Sequence, residues 1–104
     1  MNFLPVFYRI SIQTCVVVGG GAIAARKAEL LLKAEARVRV VSLEVGDRMQ
    51  ELAAGAALEV EQRTFVETVL EQVVCVIAAT DNEVVNREIS RLAQARNIPV
   101  NVVD

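Results

Sequence analysis

The chain has 104 residues, the size of one domain, with no room for a second. Hydrophobic residues make up 54% of it and charged residues 23%, a composition that excludes a disordered chain. The net charge of −2 excludes a strongly basic nucleic-acid or membrane-surface protein, and the lack of histidine excludes imidazole bases and histidine metal ligands. We therefore expect one domain over residues 1–104, with no nucleic-acid partner, no membrane partner and no resident metal.

The cysteines and the N-terminus favour a soluble, cytoplasmic protein. Cys15 and Cys75 both lie in apolar runs, so we predict small buried side chains rather than a zinc site or a disulfide scaffold. The first residues lack the charged and apolar stretches of a signal peptide. The longest apolar run, at 73–79, is too short to span a membrane.

Short apolar runs alternate with helical patterns along the chain. The continuous apolar run at 15–18 predicts a strand that is buried on both faces. The pattern at 22–33 predicts a helix with Ala24, Ala28 and Leu31 on one face. Further along the chain, the patterns predict strands at 37–41, 58–62, 73–79 and 100–103, helices at 47–54 and from Asn82 to Asn97, and a turn or short helix at 66–72.

This alternation predicts an α/β fold with a doubly wound, Rossmann-like parallel sheet of five strands. Right-handed crossovers leave few topologies, and the order 3-2-1-4-5 is the one we expect. Ligands of such sheets bind beyond the carboxyl ends of the strands, where the strand order reverses. No helix follows the fifth strand to cover it, so we expect it to pair with a second copy or with more chain of a longer protein.

The first candidate site is the segment 19–24, GGGAIA, between the first strand and the first helix. It matches G-x-G-x-x-A: Gly19 permits the tight turn, Gly21 lets a pyrophosphate approach the backbone, and Ala24 keeps the helix close to the strand. The helix N-terminus supplies free N–H groups and a favourable dipole. This motif predicts dinucleotide binding; the alternative is a turn whose glycines serve geometry alone.

The second candidate follows the second strand. NAD sites place an acidic residue there, on the ribose hydroxyls. Ser42 occupies that place and Glu44 comes two residues later, so Glu44 is either a ribose ligand or a solvated carboxylate. No arginine comes immediately after this strand to hold a 2′-phosphate, which favours NAD over NADP.

The third candidate follows the fourth strand. This strand is expected to lie beside the first, at the point where the strand order reverses. Ala78 and Ala79 are small and leave space for a ligand, and Thr80 offers a hydroxyl. Asp81 and Asn82 are better explained as helix caps than as catalysts.

The fourth candidate is Asp104, at the carboxyl end of the fifth strand. In a chain without histidine, a carboxylate is the obvious proton acceptor. An aspartate with an ordinary pKa of about 3.9 is a weak base unless its site raises that pKa. The alternative is a solvated terminal carboxylate.

Five segments together resemble one enzyme family. The chain from Leu4 to Asp104 is similar to the N-terminal domain of siroheme synthases, which also occurs in stand-alone precorrin-2 dehydrogenases, some of them also ferrochelatases. The segments that carry the resemblance are Leu4-Pro5, Val18-Gly19-Gly20-Gly21, Ala25-Arg26-Lys27, Ile77-Ala78-Ala79-Thr80-Asp81 and Asn101-Val102-Val103-Asp104.

The resemblance implies a domain that binds NAD+ and oxidises precorrin-2 to sirohydrochlorin, with ferrous iron as a further substrate in bifunctional members. It implies that Asp104 removes the proton and takes part in metal insertion. It also places cofactor contacts on Ala22, Ile23, Leu43 and Glu44. The expected cofactor-binding residues are therefore Gly19, Gly20, Gly21, Ala22, Ile23, Ser42, Leu43, Glu44 and Thr80.

Two departures from the family stand out. Members usually have a glycine near position 35, whereas this chain has Glu35, which is strained in a left-handed helix ending. The family also continues past position 104 into a segment that dimerises and closes the tetrapyrrole cleft. Three functions therefore stay open for the chain alone: a dehydrogenase, a non-catalytic dinucleotide-binding module, and a folded scaffold.

Overall fold

A five-stranded parallel sheet forms the centre of the molecule, whose computed structural model describes residues 7–55 and 58–103. The strands lie in the order β3-β2-β1-β4-β5, and every pairing is parallel. The predicted Rossmann-like fold and strand order are therefore confirmed. The strands are β1 (Thr14–Val18), β2 (Arg37–Val41), β3 (Leu58–Glu61), β4 (Cys75–Ala78) and β5 (Val100–Val102).

Three α-helices and one 3₁₀ turn connect the strands. They are α1 (Ala22–Lys33), α2 (Asp47–Ala54), the 3₁₀ turn Glu67–Leu70 and α3 (Glu83–Ala95). The bounds of α1, α2 and β2 agree with the predicted ones. β4 begins two residues later than predicted, because Gln72 turns the chain with a φ of 59° and Val73 packs into the core ahead of the ladder. Over the described ranges, no helix has the length and apolarity needed to cross a membrane.

Both faces of the sheet are covered by helices. In β1, Cys15 and Val17 join the cluster that includes α1 and α2, whereas Val16 and Val18 join the cluster that includes α3 and the 3₁₀ turn. Successive side chains of a strand point to opposite faces, so a strand between two helical layers needs apolar residues at every position. This requirement explains the unbroken apolar run of β1.

Helix α1 ends in a left-handed turn although it lacks the glycine of the resembled family. Glu35 has a φ of 64°. Its N–H donates to the Leu32 carbonyl over 2.9 Å, and the Ala36 N–H donates to the Leu31 carbonyl over 3.1 Å. These two bonds satisfy carbonyls that the helix end would otherwise leave unpaired. A side chain in this conformation costs about 1–2 kcal/mol, so the expected strain is present and the helix keeps its ending.

The two cysteines are register partners on the neighbouring strands β1 and β4. Cys15 is fully buried, as predicted, whereas Cys75 is half-buried, and both are free thiols. The hydrogen bond with Cys15 lowers the pKa of Cys75 to about 7. The same interaction, together with burial, raises the pKa of Cys15. The thiolate of the pair therefore forms at Cys75.

Candidate functional site

The glycine loop, residues 19–21 between β1 and α1, begins with a buried residue that must be glycine. Gly19 has a φ of 130°, which side chains rarely adopt. A Cβ on it would lie 2.4 Å from the carbonyl oxygen of Ala79. Its N–H donates to the Val41 carbonyl over 3.0 Å. Gly19 therefore joins the ends of β1, β2 and β4 at one point.

Gly20 is the contact between the glycine loop and the segment that follows β2. A Cβ on Gly20 would lie 2.0 Å from the Glu44 carbonyl oxygen and 2.9 Å from the Ser42 hydroxyl oxygen. The Gly46 N–H donates to the Gly20 carbonyl over 2.8 Å. Gly46 was not among the residues expected from the sequence, although a glycine directly before a helix could have drawn attention to it.

Gly21, in contrast, faces open space. A Cβ on it would meet no atom within 4 Å, and its φ of −84° suits any residue. It is the N-cap of α1 and offers no side-chain cap, and the first turn of α1 holds no acidic residue. The first turn of a helix leaves N–H groups without intrahelical partners, and the dipole favours an anion there. This open arrangement is a cradle whose geometry suits an anionic group such as a phosphate.

A cavity of about 610 Å³ lies over this cradle. Its walls are the glycine loop, the β2–α2 segment and the end of β4. The Ser42 hydroxyl donates to the Glu44 carbonyl over 2.6 Å, so it offers a ligand only lone pairs. The lining residues are Gly19, Gly20, Gly21, Ala22, Ile23, Ala24, Ser42, Glu44, Val45, Gly46, Ala79, Thr80 and Asp81.

A second cavity, of about 580 Å³, lies on the α3 side of the same strand ends. The two cavities share Gly19, Ser42, Glu44, Thr80 and Asp81, whereas Leu43 lines only the second. Residues that the sequence argument missed complete its walls: Arg63, Thr64, Phe65, Val84, Val85 and Glu88. The rule that ligands bind at the carboxyl ends of strands could have identified the residues that follow β3.

The charges around the second cavity are mostly negative. Arg63 reaches it from the β3 end and forms an ion pair with Glu61 over 3.1 Å. No arginine directly follows β2, as expected, but Arg63 approaches this cavity from the end of β3. Hydrogen bonds from Arg91 lower the pKa of Glu88, so this carboxylate is charged at neutral pH. Glu44 and Asp81 add two further acidic side chains to the lining.

Thr80 lines both cavities, but its hydroxyl is already engaged. The Thr80 hydroxyl donates to the Asn86 side-chain oxygen over 2.6 Å and accepts from the Asn82 N–H over 3.2 Å. Asn82 caps α3 as predicted, accepting from the N–H groups of Val84 and Val85. The hydroxyl proton of Thr80 is therefore not available to a ligand.

A third cavity, of about 370 Å³, lies between α3 and β5. Thr80, Asn86, Arg87 and Val103 are among its lining residues. Asp104, the expected proton acceptor, lies outside the described residues. Within those that are described, no three histidine, cysteine, aspartate or glutamate side chains stand close enough to hold a metal ion.

The sequence and the fold are similar to those of known proteins. A family model described as "Putative NAD(P)-binding" matches residues 6–104. The siroheme synthases of Thioalkalivibrio sulfidiphilus and Methylobacillus flagellatus are each 49% identical to the chain over all 104 residues, which cover 21% and 22% of those proteins. The chain thus spans about a fifth of their length. A solved structure named "SirC, precorrin-2 dehydrogenase" is 27% identical with a TM-score of 0.82, over 95% of this chain and 48% of that one.

Proposed function

The chain belongs to this NAD(P)-binding family, and we propose that it binds NAD+ as the cofactor domain of an enzyme of siroheme biosynthesis. Siroheme synthases contain a similar domain, which makes up about a fifth of their length. The observation that supports this most strongly is the open cradle at Gly21, where a Cβ would meet no protein atom and α1 presents its first N–H groups. The neighbouring Gly19 and Gly20 are closely packed, so only Gly21 leaves room for a ligand.

The proposed cofactor occupies both large cavities. The pyrophosphate lies over Gly21, Ala22 and Ile23, which are exposed and line the first cavity. The adenine lies in the second cavity, whose apolar walls include Phe65 and Val85. An apolar slot with a few polar groups at one end is the usual form of a cofactor site.

The polar groups between the cavities favour NAD over NADP. Because the Ser42 hydroxyl donates its proton to the Glu44 carbonyl, it can accept from a ribose hydroxyl but cannot donate to a phosphate. Arg63, the one cation among the described residues that line these two cavities, is already paired with Glu61. A 2′-phosphate would therefore add negative charge beside Glu44 and would compete with Glu61 for Arg63.

The proposed reaction is the oxidation of precorrin-2 to sirohydrochlorin, in which bound NAD+ supplies a hydride acceptor. We assign Asp104 as the proton acceptor, because it directly follows Val103, which lines the third cavity beside Thr80. Arg87 is the one cation among the described residues that line this cavity, so a polyanionic macrocycle needs further walls. We propose that a longer protein and a second copy supply them, that β5 takes part in the pairing, and that ferrous iron is a further substrate.

Calorimetric titration of the chain with NAD+ and NADP+ tests the cofactor assignment. The proposal expects binding of NAD+ and clearly weaker binding of NADP+; equal or stronger binding of NADP+ would contradict the preference. A turnover assay with precorrin-2, run on the longer protein that carries this domain, then tests the chemistry: its Asp104→Ala variant should lose product formation and keep NAD+ binding. Turnover that survives this substitution would remove Asp104 from the mechanism.

A further inference from the structure

Asn86 is the one polar side chain that is buried in the described parts of the chain. It lies on α3 and is 4% exposed. Burial of an amide without hydrogen-bond partners would lower the stability of the fold by several kcal/mol, so its partners matter. All of them go to one residue, Thr80.

The Asn86 amide binds both backbone polar groups of Thr80, the N–H and the carbonyl. Its oxygen accepts from the Thr80 N–H over 3.2 Å and from the Thr80 hydroxyl over 2.6 Å, and its nitrogen donates to the Thr80 carbonyl over 3.0 Å. This pairing is the one that a neighbouring strand would provide. The side chain thus continues the ladder one step beyond the end of β4.

The peptide that Asn86 holds is the one on which the glycine loop packs. The Thr80 N–H and the Ala79 carbonyl belong to a single planar peptide unit. A Cβ on Gly19 would lie 2.4 Å from the oxygen of that unit and 3.3 Å from its nitrogen. Rotation of this peptide would therefore displace Gly19 or open a gap beside it.

We propose that Asn86 is a positioning residue for the cofactor site, acting through the Ala79–Thr80 peptide on Gly19. The inference rests on the proposed function, because its consequence is cofactor affinity. An apolar side chain of similar size would fill the same space without needing three hydrogen bonds. The need to fix the orientation of this peptide explains why an amide side chain stands at the buried position 86.

The test compares Asn86→Leu with Ile89→Ala. Asn86→Leu removes all three hydrogen bonds and keeps the branched shape and the number of heavy atoms. Ile89→Ala truncates a fully buried residue on the same helix and destabilises the fold by packing loss alone. We expect the NAD+ dissociation constant to rise about tenfold in Asn86→Leu and to stay near the wild-type value in folded Ile89→Ala. The Gly19 amide resonance should shift only in Asn86→Leu.

Each outcome decides one question. If the wild-type chain does not bind NAD+, the proposed function fails, and the Gly19 resonance still tests the contact itself. Unchanged affinity and an unchanged Gly19 resonance in Asn86→Leu would overturn the inference, as would an equal loss of affinity in Ile89→Ala. If Asn86→Leu does not fold, Asn86→Ala removes the same three bonds and takes its place.

Discussion

The Gly46 N–H donates to the Gly20 carbonyl over 2.8 Å, which joins the start of α2 to the glycine loop. A Cβ on Gly46 would lie 3.2 Å from that same oxygen. Two glycines from separate crossovers thus approach each other closely, and the cavity over Gly21 forms beside their contact. The site is therefore built by backbone packing between segments that are distant in sequence.

Replacement of Gly20 by alanine should damage the fold as well as the site. The new Cβ would lie 2.0 Å from the Glu44 carbonyl oxygen, so the β2–α2 segment must move. We expect Gly20→Ala to lower the free energy of unfolding by about 1–3 kcal/mol, measured by urea denaturation. Gly21→Ala is the matched control, because its Cβ meets no atom, and its unfolding free energy should stay within about 0.5 kcal/mol of wild type. Equal stability of the two variants would contradict the close approach at Gly20.

Glu35→Gly should stabilise the chain. Glu35 occupies the left-handed ending of α1 with a φ of 64°, where glycine has no steric cost. We expect a gain of about 1 kcal/mol in the free energy of unfolding. Asn97 is the control, because it ends α3 in the same way with a φ of 57°, and asparagine tolerates this conformation well. A gain from Asn97→Gly that equals the gain from Glu35→Gly would show that strain at Glu35 is not the cause.

The alkylation of Cys75 should depend on pH with a midpoint near 7. The hydrogen bond from Cys15 lowers the pKa of Cys75 to about 7, so its thiolate forms above that pH and reacts. In Cys15→Ala only the opposing effect of burial remains, so the midpoint should rise above the ordinary thiol value of about 8.5. Mass spectrometry of iodoacetamide-treated chain across the pH range measures both midpoints. A midpoint that stays unchanged in Cys15→Ala would argue against the thiol pair.

Glu44→Gln should shift cofactor preference toward NADP. The substitution removes a negative charge from the wall that the two large cavities share and leaves Arg63 in place. We expect the ratio of NADP+ to NAD+ affinity to rise by about fivefold, the effect of about 1 kcal/mol. Glu29→Gln is the charge-matched control, since Glu29 is paired with Arg48 on the outside of α1 and α2. The same shift in both variants would mean that overall charge, and not the position of Glu44, sets the preference.

Local patterns in the sequence were sufficient to predict the fold. Periodicity placed α1 and α2 at their observed bounds, and the unbroken apolar run of β1 indicated a doubly covered strand. The G-x-G-x-x-A motif also placed the tight turn at Gly19, whose φ of 130° confirms it. These features depend on residues that are close in sequence.

The missed parts of the site depend on contacts between distant segments. Phe65 and Arg63 line the second cavity only because β3 lies at the far side of β2. Asn86 looks like any polar helix residue until the fold places Thr80 against it. No local pattern distinguishes such residues, since their roles arise when the strand ends come together.

The most direct test of the account is a calorimetric titration of the chain and of Gly21→Val with NAD+. Valine fits the φ of −84° at this position and meets no protein atom at its Cβ, so both chains should show the same unfolding transition. The account predicts that the wild-type chain binds NAD+ and that Gly21→Val binds at least about a hundredfold more weakly, because the valine side chain would keep a charged phosphate away from the first N–H groups of α1. Equal binding by the two folded chains, or no binding by the wild type, would contradict the claim that this loop holds the cofactor.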